Sequence, residues 1–215
     1  MTKLLLTGFE PFGDVRINAS QKLVERAGEQ IAIPGVDLVC EILPVRFESG
    51  PERIAALLRQ HRPALALSFG VAPRPCVCLE QLALNYAFAR IPDNEGKTPE
   101  HRDLVEPAPP GYWSVFRHRR DLIDALAQRN VPAVLSTSAG AYVCNAVMFS
   151  ALHTIAAENL PTRYGFVHIP QLPQEMAGAT DERKLAVGSM SLDLTFAALE
   201  TLVTRLIEAP ANDIG

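Results

Sequence analysis

Short apolar runs alternate with longer segments of helical periodicity, and this alternation constrains the fold of the chain more than any other feature. Apolar runs typical of β-strands occupy residues 3–9, 36–45, 63–70, 76–85, 133–140 and 163–169. Helical patterns occupy residues 18–30, 49–61, 144–159 and 189–209, with Asn18 and Ser49 as predicted N-caps. This order predicts an α/β/α fold with a mostly parallel, twisted sheet and helices on both faces. We expect a single domain over residues 1–215, because this length suits one hydrophobic core.

One proline-rich segment does not follow the alternation. Residues 91–111 show neither strand nor helix periodicity. Loops of this length inside a compact domain are usually functional or mobile. We therefore predict either a lid over a site or a contact with another subunit.

The charge of the chain argues against some classes of function. A net charge of −4 and a pI near 5.7 disfavour nucleic-acid binding, which requires a basic face. The uncharged stretch 130–152 is long enough for a membrane helix, but Pro132 and Gly140 divide it into strand, loop and helix. No export signal is evident. We therefore expect a soluble cytoplasmic protein, without membrane contact, whose four cysteines are thiols.

The first loop, "TGFEPFG" at residues 7–13, has the glycine spacing of a phosphate-binding loop but not its chemistry. Such a loop requires a lysine after its second glycine, and this chain has Asp14 there. Pro11 also removes a backbone donor. A strand-to-helix turn with glycine at positive φ is the simpler interpretation. It leaves Phe9 and Phe12 unexplained, and we predict that they form walls of a pocket.

Cys144 is the candidate nucleophile. It opens the predicted helix 144–159, directly after a small, flexible loop. The dipole and unpaired N–H groups of a helix N-terminus favour a thiolate and can stabilise an oxyanion. The alternative is a buried cysteine without a chemical role. Cys76 and Cys78 share one face of a predicted strand, where we expect small core residues rather than a metal site.

His168 and Glu80 are candidates for the base and for its orienting carboxylate. His168 ends an apolar strand just before Pro170, and functional groups of α/β sheets gather at such strand ends. Glu80 interrupts another apolar strand, and a buried carboxylate requires a partner. That partner is either a histidine, as in a nucleophile–base–acid arrangement, or an arginine such as Arg90. Together with Cys144, these residues indicate a cysteine hydrolase.

Several motifs in the same order and spacing resemble one family, the type I pyroglutamyl peptidases or pyrrolidone-carboxylate peptidases. They are "LLLTGFEPFG" followed by Asn18, "LEQLALN", "ARIPDNEG", "SAGAYVCNAVM", "GFVHIPQLP" and "SMSLD". The resemblance implies a cytosolic, tetrameric cysteine exopeptidase that removes N-terminal pyroglutamyl residues from peptides. It implies no cofactor and no metal. The implied fold is a single α/β/α globule.

The resemblance also assigns roles to residues. It implies Cys144 as nucleophile, His168 as base, Glu80 as third member and Arg90 as a further catalytic residue. The predicted substrate-binding residues are Phe9, Phe12, Asn18, Val71, Tyr142 and Val143. Pyroglutamate is a flat, neutral lactam, so the phenylalanines suit its ring, while Asn18 offers a donor and an acceptor to its polar atoms.

Two positions depart from the family pattern. Gln81 stands where an arginine usually follows the catalytic glutamate, and Val71 stands where a glutamine is typical. Two other functions remain open from the sequence. One is a different enzyme on a similar sheet, such as a nucleoside phosphorylase or another amidase. The other is a binding protein that has lost catalytic activity.

Overall fold

The computed structural model describes residues 2–13, 15–177 and 180–209, apart from the side chains of residues 183 and 184. The strands are β1 Thr2–Phe9, β2 Val36–Leu43, β3 Leu65–Val71, β4 Val77–Glu80, β5 Leu82–Leu84, β6 Gly111–Trp113, β7 Ala133–Ser136 and β8 Arg163–Ile169. The helices are α1 Ala19–Gln30, α2 Ser49–His61, α3 Arg120–Gln128, α4 Val143–Glu158, α5 Pro173–Met176, α6 Glu182–Leu185 and α7 Leu192–Glu208.

One sheet organises this part of the chain, with strand order β2-β1-β3-β8-β4-β7. Its neighbouring strands run parallel, except that β4 is antiparallel to β8. The prediction of a mostly parallel α/β sheet is therefore confirmed. The carboxyl ends of β1, β3 and β8 lie side by side at one edge of the sheet, where ligands bind in folds of this kind.

Helices cover both faces of the sheet because successive strand residues point to opposite sides. In β1, Leu4 and Leu6 pack with residues of α1, α3 and α7, whereas Leu5 packs with residues of α2 and α4. All three leucines are fully buried. Among the described residues, no helix combines the length and the apolar character that a membrane crossing requires.

The first strand-to-helix connection follows the sequence expectation in part. Asn18 is the N-cap of α1, and its side chain accepts a hydrogen bond from Ser20 N, as predicted. Gly13 has a positive φ of 59°, but Gly8 is required for a different reason. A Cβ atom on Gly8 would lie 2.4 Å from the backbone oxygen of Ser20. Gly8 therefore permits the close approach of α1 to β1.

The prediction of one strand over residues 76–85 was wrong. The chain leaves the main sheet at Gln81, whose backbone N–H donates to Ser136 O at 2.7 Å. Residues beyond it form β5, which pairs with β6 in a separate two-stranded sheet. The apolar pattern continues through this break, so periodicity alone does not reveal it.

Two predicted boundaries also differ from the structure. Ser49 is the first helical residue of α2 rather than its cap, and the cap position belongs to Glu48. Strand β7 ends at Ser136, so the predicted strand 133–140 is four residues shorter than expected. The segment 91–111 remains irregular until β6 begins at Gly111.

Candidate active site

A cavity of about 350 Å³ opens at the carboxyl ends of β1 and β3. It is lined by all six predicted substrate-binding residues, namely Phe9, Phe12, Asn18, Val71, Tyr142 and Val143. Cys144 lines the same cavity. Most of its other walls are apolar, and they comprise Val15, Ile17, Val45, Ala72, Pro73, Ile91, Gln171 and Glu175. The structure thus brings a thiol and an apolar binding space together.

The backbone around Cys144 places the thiol at the start of a long helix. Tyr142 is the N-cap of α4, and Cys144 is the second residue of this 16-residue helix. Backbone N–H groups of the first turn have no partner within a helix, and the dipole there favours negative charge. This environment suits a thiolate and an oxyanion next to it.

Gly70 makes room for the sulfur. Gly70 is the register partner of His168 in the pairing of β3 with β8. A Cβ atom on Gly70 would lie 3.1 Å from Cys144 Sγ and 2.9 Å from the buried Phe166 ring. The missing side chain therefore lets the thiol approach the end of β8.

His168 and Glu80 form a buried pair. Nδ1 of His168 lies 2.8 Å from Glu80 Oε1, across 88 residues of sequence. His168 is 4% exposed and Glu80 is fully buried. A carboxylate on Nδ1 holds the imidazole in the tautomer that leaves Nε2 free for proton transfer.

The electrostatic surroundings of His168 favour its protonated form. Burial by itself lowers the pKa of His168. The negative charge and hydrogen-bonding contact of the Cys144 sulfur, together with Glu80, outweigh burial and raise this pKa to about 9. His168 is thus a buried imidazole that is held by a carboxylate and influenced by a nearby sulfur.

Arg74, rather than Arg90, is the arginine that contacts Glu80. Nη1 of Arg74 donates to Glu80 Oε1 at 3.2 Å and to Ser136 Oγ at 3.0 Å. Its Nη2 donates to Ser138 O at 2.9 Å. Among the described residues, none donates to the buried Oε2 of Glu80. Oε1 therefore carries both of the contacts that hold this carboxylate.

Arg90 is exposed, and the suggested ion pair with Glu80 is absent. Within the described parts of the chain, Arg90 makes no hydrogen bond or ion pair, and it does not line the cavity. Its neighbour Ile91 does line the cavity and is 52% exposed. No polar contact among the described residues therefore links Arg90 to the other candidate catalytic residues, and its catalytic role stays a prediction.

Asn18 is already engaged in the protein. Its Oδ1 accepts from Ser20 N at 2.9 Å and from Ser20 Oγ at 2.7 Å, which uses both lone pairs. Its Nδ2 donates to Glu10 O at 3.0 Å, leaving one hydrogen. We expected Asn18 to offer a bound ligand both an acceptor and a donor. In the structure it can offer only the one remaining donor hydrogen.

Aromatic rings and a buried carboxylate hold one wall of the cavity. The Tyr142 ring packs edge-on against Phe12 and Phe47, with centroid distances of 5.5 and 5.1 Å. Asp93 accepts hydrogen bonds from the backbone N–H groups of Phe47, Glu95 and Lys97, which contribute to a lowered pKa although burial opposes them. The beginning of segment 91–111 is thus fastened beside the cavity.

Sequence reasoning missed several residues of this site. Arg74, Gln171 and Glu175 lie in connections that follow β3 and β8, where no periodicity distinguishes them. Their position just after strand ends was the available signal, because these ends form the binding edge of the sheet. The departure at Gln81 has a local explanation, since Gln81 Oε1 accepts from His118 N at 3.0 Å.

Cys76 and Cys78, for which we expected a place in the core rather than a metal site, are free thiols. Cys76 is half-buried and Cys78 is buried. Across the described residues, no group of three or more His, Cys, Asp or Glu side chains is arranged to hold a metal ion.

Comparison with known proteins identifies similar chains over nearly the full length. The family model described as pyroglutamyl peptidase matches residues 2–209. The pyrrolidone-carboxylate peptidase of Thermococcus onnurineus is 36% identical over 96% of this chain and 100% of its own length. That of Pyrococcus furiosus is 34% identical, covering 95% of this chain and 100% of the relative.

Solved structures show the same similarity. The pyrrolidone carboxyl peptidase of Fervidobacterium islandicum AW-1 superimposes with a TM-score of 0.91 at 30% identity. The aligned region covers 97% of this chain and 99% of that one. A structure of the Pyrococcus furiosus enzyme has a TM-score of 0.87 at 33% identity, covering 96% and 99%.

Proposed function

The chain belongs to the pyroglutamyl peptidase family and is a pyroglutamyl-peptidase, and we propose that Cys144, His168 and Glu80 carry out the hydrolysis. The observation that carries this proposal is that the cavity, the imidazole and the carboxylate lie next to one another. Cys144 lines the cavity, its sulfur lies beside Gly70, which is the register partner of His168, and Glu80 Oε1 lies 2.8 Å from His168 Nδ1.

In the proposed acylation step, the Cys144 thiolate attacks the carbonyl carbon that joins pyroglutamate to the next residue. The new C–S bond forms as the carbonyl π electrons move to oxygen. When the tetrahedral intermediate collapses, the C–N bond breaks and the imidazolium of His168 protonates the leaving nitrogen. The products are a thioester on Cys144 and a peptide shortened by one residue.

In the proposed deacylation step, neutral His168 takes a proton from water, and the resulting hydroxide attacks the thioester. Collapse of this second intermediate breaks the C–S bond and releases pyroglutamate and the thiolate. Glu80, whose Oε1 lies 2.8 Å from His168 Nδ1, stabilises the imidazolium in both steps. Backbone N–H groups at the start of α4 are placed to bind the oxyanion.

The cavity suits an uncharged lactam ring. Phe9 and Phe12 offer apolar surfaces, and the free Nδ2 hydrogen of Asn18 can donate to the lactam carbonyl. A prolyl residue has a ring of similar size, but it lacks this carbonyl and carries a protonated amine. Sites that hydrogen-bond a substrate group can reject analogues without it by roughly 10⁴-fold or more.

We further propose that the enzyme acts in the cytoplasm as a homo-oligomer, a tetramer by resemblance to its family. The free cysteines suit a reducing compartment. Leu84 and Trp113, on the small β5–β6 sheet, are 36% and 46% exposed and offer apolar surface to another subunit. Light scattering after size exclusion measures the number of subunits, and a monomer at micromolar concentration would contradict the proposal.

Kinetics with a pyroglutamyl chromogenic amide test the catalytic proposal. We expect cleavage that iodoacetamide abolishes, with alkylation located on Cys144 by peptide mass mapping. The matched prolyl amide should have a kcat/KM lower by roughly 10⁴-fold. Comparable values for the two amides would contradict the lactam pocket. Selectivity that survives Asn18→Ala would retain the enzyme assignment and remove Asn18 from recognition.

A further inference from the structure

Among the described residues that line the cavity, one carries a carboxylate, and this residue is Glu175. Among the described residues that line it, Glu175 is the only one with an ionisable acidic or basic side chain other than the Cys144 thiol and the Tyr142 phenol. Glu175 lies on α5, seven residues after His168, and it is half-buried. A carboxylate in such surroundings attracts cations and repels anions that enter the cavity.

A backbone hydrogen bond holds one oxygen of Glu175. Burial raises the pKa of Glu175, whereas the hydrogen bond that Oε2 accepts from Leu172 N at 2.6 Å opposes this rise and holds the side chain in place. No described residue donates a hydrogen bond to Oε1. Gln171, on the same connection after β8, also lines the cavity and adds a neutral amide. The site therefore presents one oriented negative charge and one hydrogen-bonding group.

The strand order places this charge on the leaving-group side of the cavity. Phe9 and Phe12 belong to the end of β1, while Gln171 and Glu175 follow β8, and β3 separates the two strands. Neighbouring strands are about 4.8 Å apart, so the two walls are roughly 10 Å from each other. The group that must reach the leaving nitrogen, His168, also lies on β8. With the lactam ring at β1, the chain beyond the scissile bond extends toward β8.

We propose that Glu175, assisted by Gln171, forms the subsite for the residue that follows pyroglutamate and favours a cationic side chain there over an acidic one. This inference rests on the proposed function, because it requires the lactam ring to occupy the Phe9–Phe12 side. The side chain of the residue after pyroglutamate makes this contact. The same C–N and C–S bonds break as in the proposed mechanism.

The test compares kcat/KM for pyroglutamyl-lysine amide and pyroglutamyl-glutamate amide at neutral pH, together with a pyroglutamyl arylamide. We expect the wild-type enzyme to prefer the lysine substrate by about tenfold. At this half-exposed site Glu175 attracts the lysine side chain and repels the glutamate side chain, and both effects contribute to the ratio. Glu175→Gln should reduce the ratio to within about twofold. Glutamine can still accept from Leu172 N, so the local fold is retained.

A matched control and the arylamide separate the possible outcomes. Glu29→Gln changes the net charge equally but lies exposed on α1, away from the cavity, and should keep the wild-type ratio. Any effect of Glu175→Gln that is common to all substrates divides out of the ratio. A wild-type ratio near one, or a ratio that survives Glu175→Gln, would overturn the subsite. If the arylamide is not cleaved by the wild-type enzyme, the proposed function itself fails.

Discussion

Two cysteines flank His168, and the difference between their environments explains why only one of them suits catalysis. Cys78, on β4, is the register partner of His168 in the sheet and is 1% exposed. Cys144, at the start of α4, lines the cavity. Burial raises the pKa of Cys78, although a hydrogen bond with Arg74 opposes this effect. Proximity to a histidine is therefore insufficient, since a nucleophile also requires access and a surrounding that favours the thiolate.

The two regions contribute in different ways to the proposed site. The β4 region supplies buried support, because Glu80 follows Cys78 on the same face of the strand and holds His168. The α4 region supplies a half-buried sulfur that lines the cavity and the backbone donors of a helix N-terminus. Variants that remove a side chain from one region or the other test whether the two regions contribute in these different ways.

The largest expected effect separates the two thiols directly. Cys144→Ala should lower kcat by at least about 10⁵-fold, since removal of a triad nucleophile has cost about 2 × 10⁶ in a serine peptidase. Cys78→Ala should retain most activity, as should Cys40→Ala and Cys76→Ala, because these sulfurs do not line the cavity. Steady-state kinetics on a pyroglutamyl arylamide give the values. Full activity in the Cys144→Ala enzyme would end the thiol mechanism.

The next effect concerns the carboxylate of the β4 region. Glu80→Gln preserves shape and a hydrogen-bond acceptor but removes the charge that stabilises the imidazolium. We expect kcat to fall by between roughly tenfold and 10⁴-fold, the upper figure coming from the corresponding change in a serine triad. Glu100→Gln, on the exposed loop, is the matched control. An unchanged kcat in a folded Glu80→Gln enzyme would assign Glu80 a structural role only.

Arg74 should show a smaller effect, because it acts through Glu80. Arg74→Ala removes one of the two contacts to Glu80 Oε1, and we expect kcat to fall by about tenfold with little change in KM. Loss of the positive charge should also raise the pKa of His168 and move the alkaline limb of the pH profile upward. Arg74→Lys should restore part of kcat. A change confined to KM would contradict a positioning role.

The smallest expected effect is a twofold fall in kcat/KM at alkaline pH. Because the sulfur and Glu80 raise the pKa of His168 to about 9, kcat/KM should fall to about half its plateau near pH 9 as the imidazolium loses its proton. In Cys144→Ala the pKa of His168, followed by NMR, should be lower, since burial lowers this pKa and the sulfur no longer opposes it. An unchanged pKa in that variant would show that the sulfur does not face His168.

The raised pKa of His168 also makes the free energy of unfolding depend on pH. The folded protein retains a proton on His168 that the unfolded chain releases near its ordinary pKa of 6.5. The contribution of this group to the free energy of unfolding is therefore complete below about pH 6.5 and is lost as pH rises through about 9. Denaturant unfolding measured across this range, with Cys144→Ala for comparison, gives the change.

Much of the architecture was predictable because its signals are local. Alternating strand and helix periods identified the sheet, and the capping chemistry of Asn18 located the start of α1 to the residue. The break at Gln81 was not predictable, because Leu82 and Leu84 continue the apolar pattern of β4. Their departure depends on pairing with β6, which begins at Gly111, the last residue of segment 91–111.

The candidate nucleophile, base and acid could be identified before the fold was known, since each stands at a position whose local pattern predicts a strand end, a helix start or a buried strand. Which side chains meet depends instead on how the strands and helices come together. The tertiary structure placed Arg74 on Glu80, for which the sequence had suggested an arginine such as Arg90, engaged both lone pairs of Asn18 within the protein, and added Glu175 to the cavity. The physical reason is that these contacts depend on the strand order β1-β3-β8-β4, which joins Glu80 and His168 across 88 residues, and no local periodicity encodes that order.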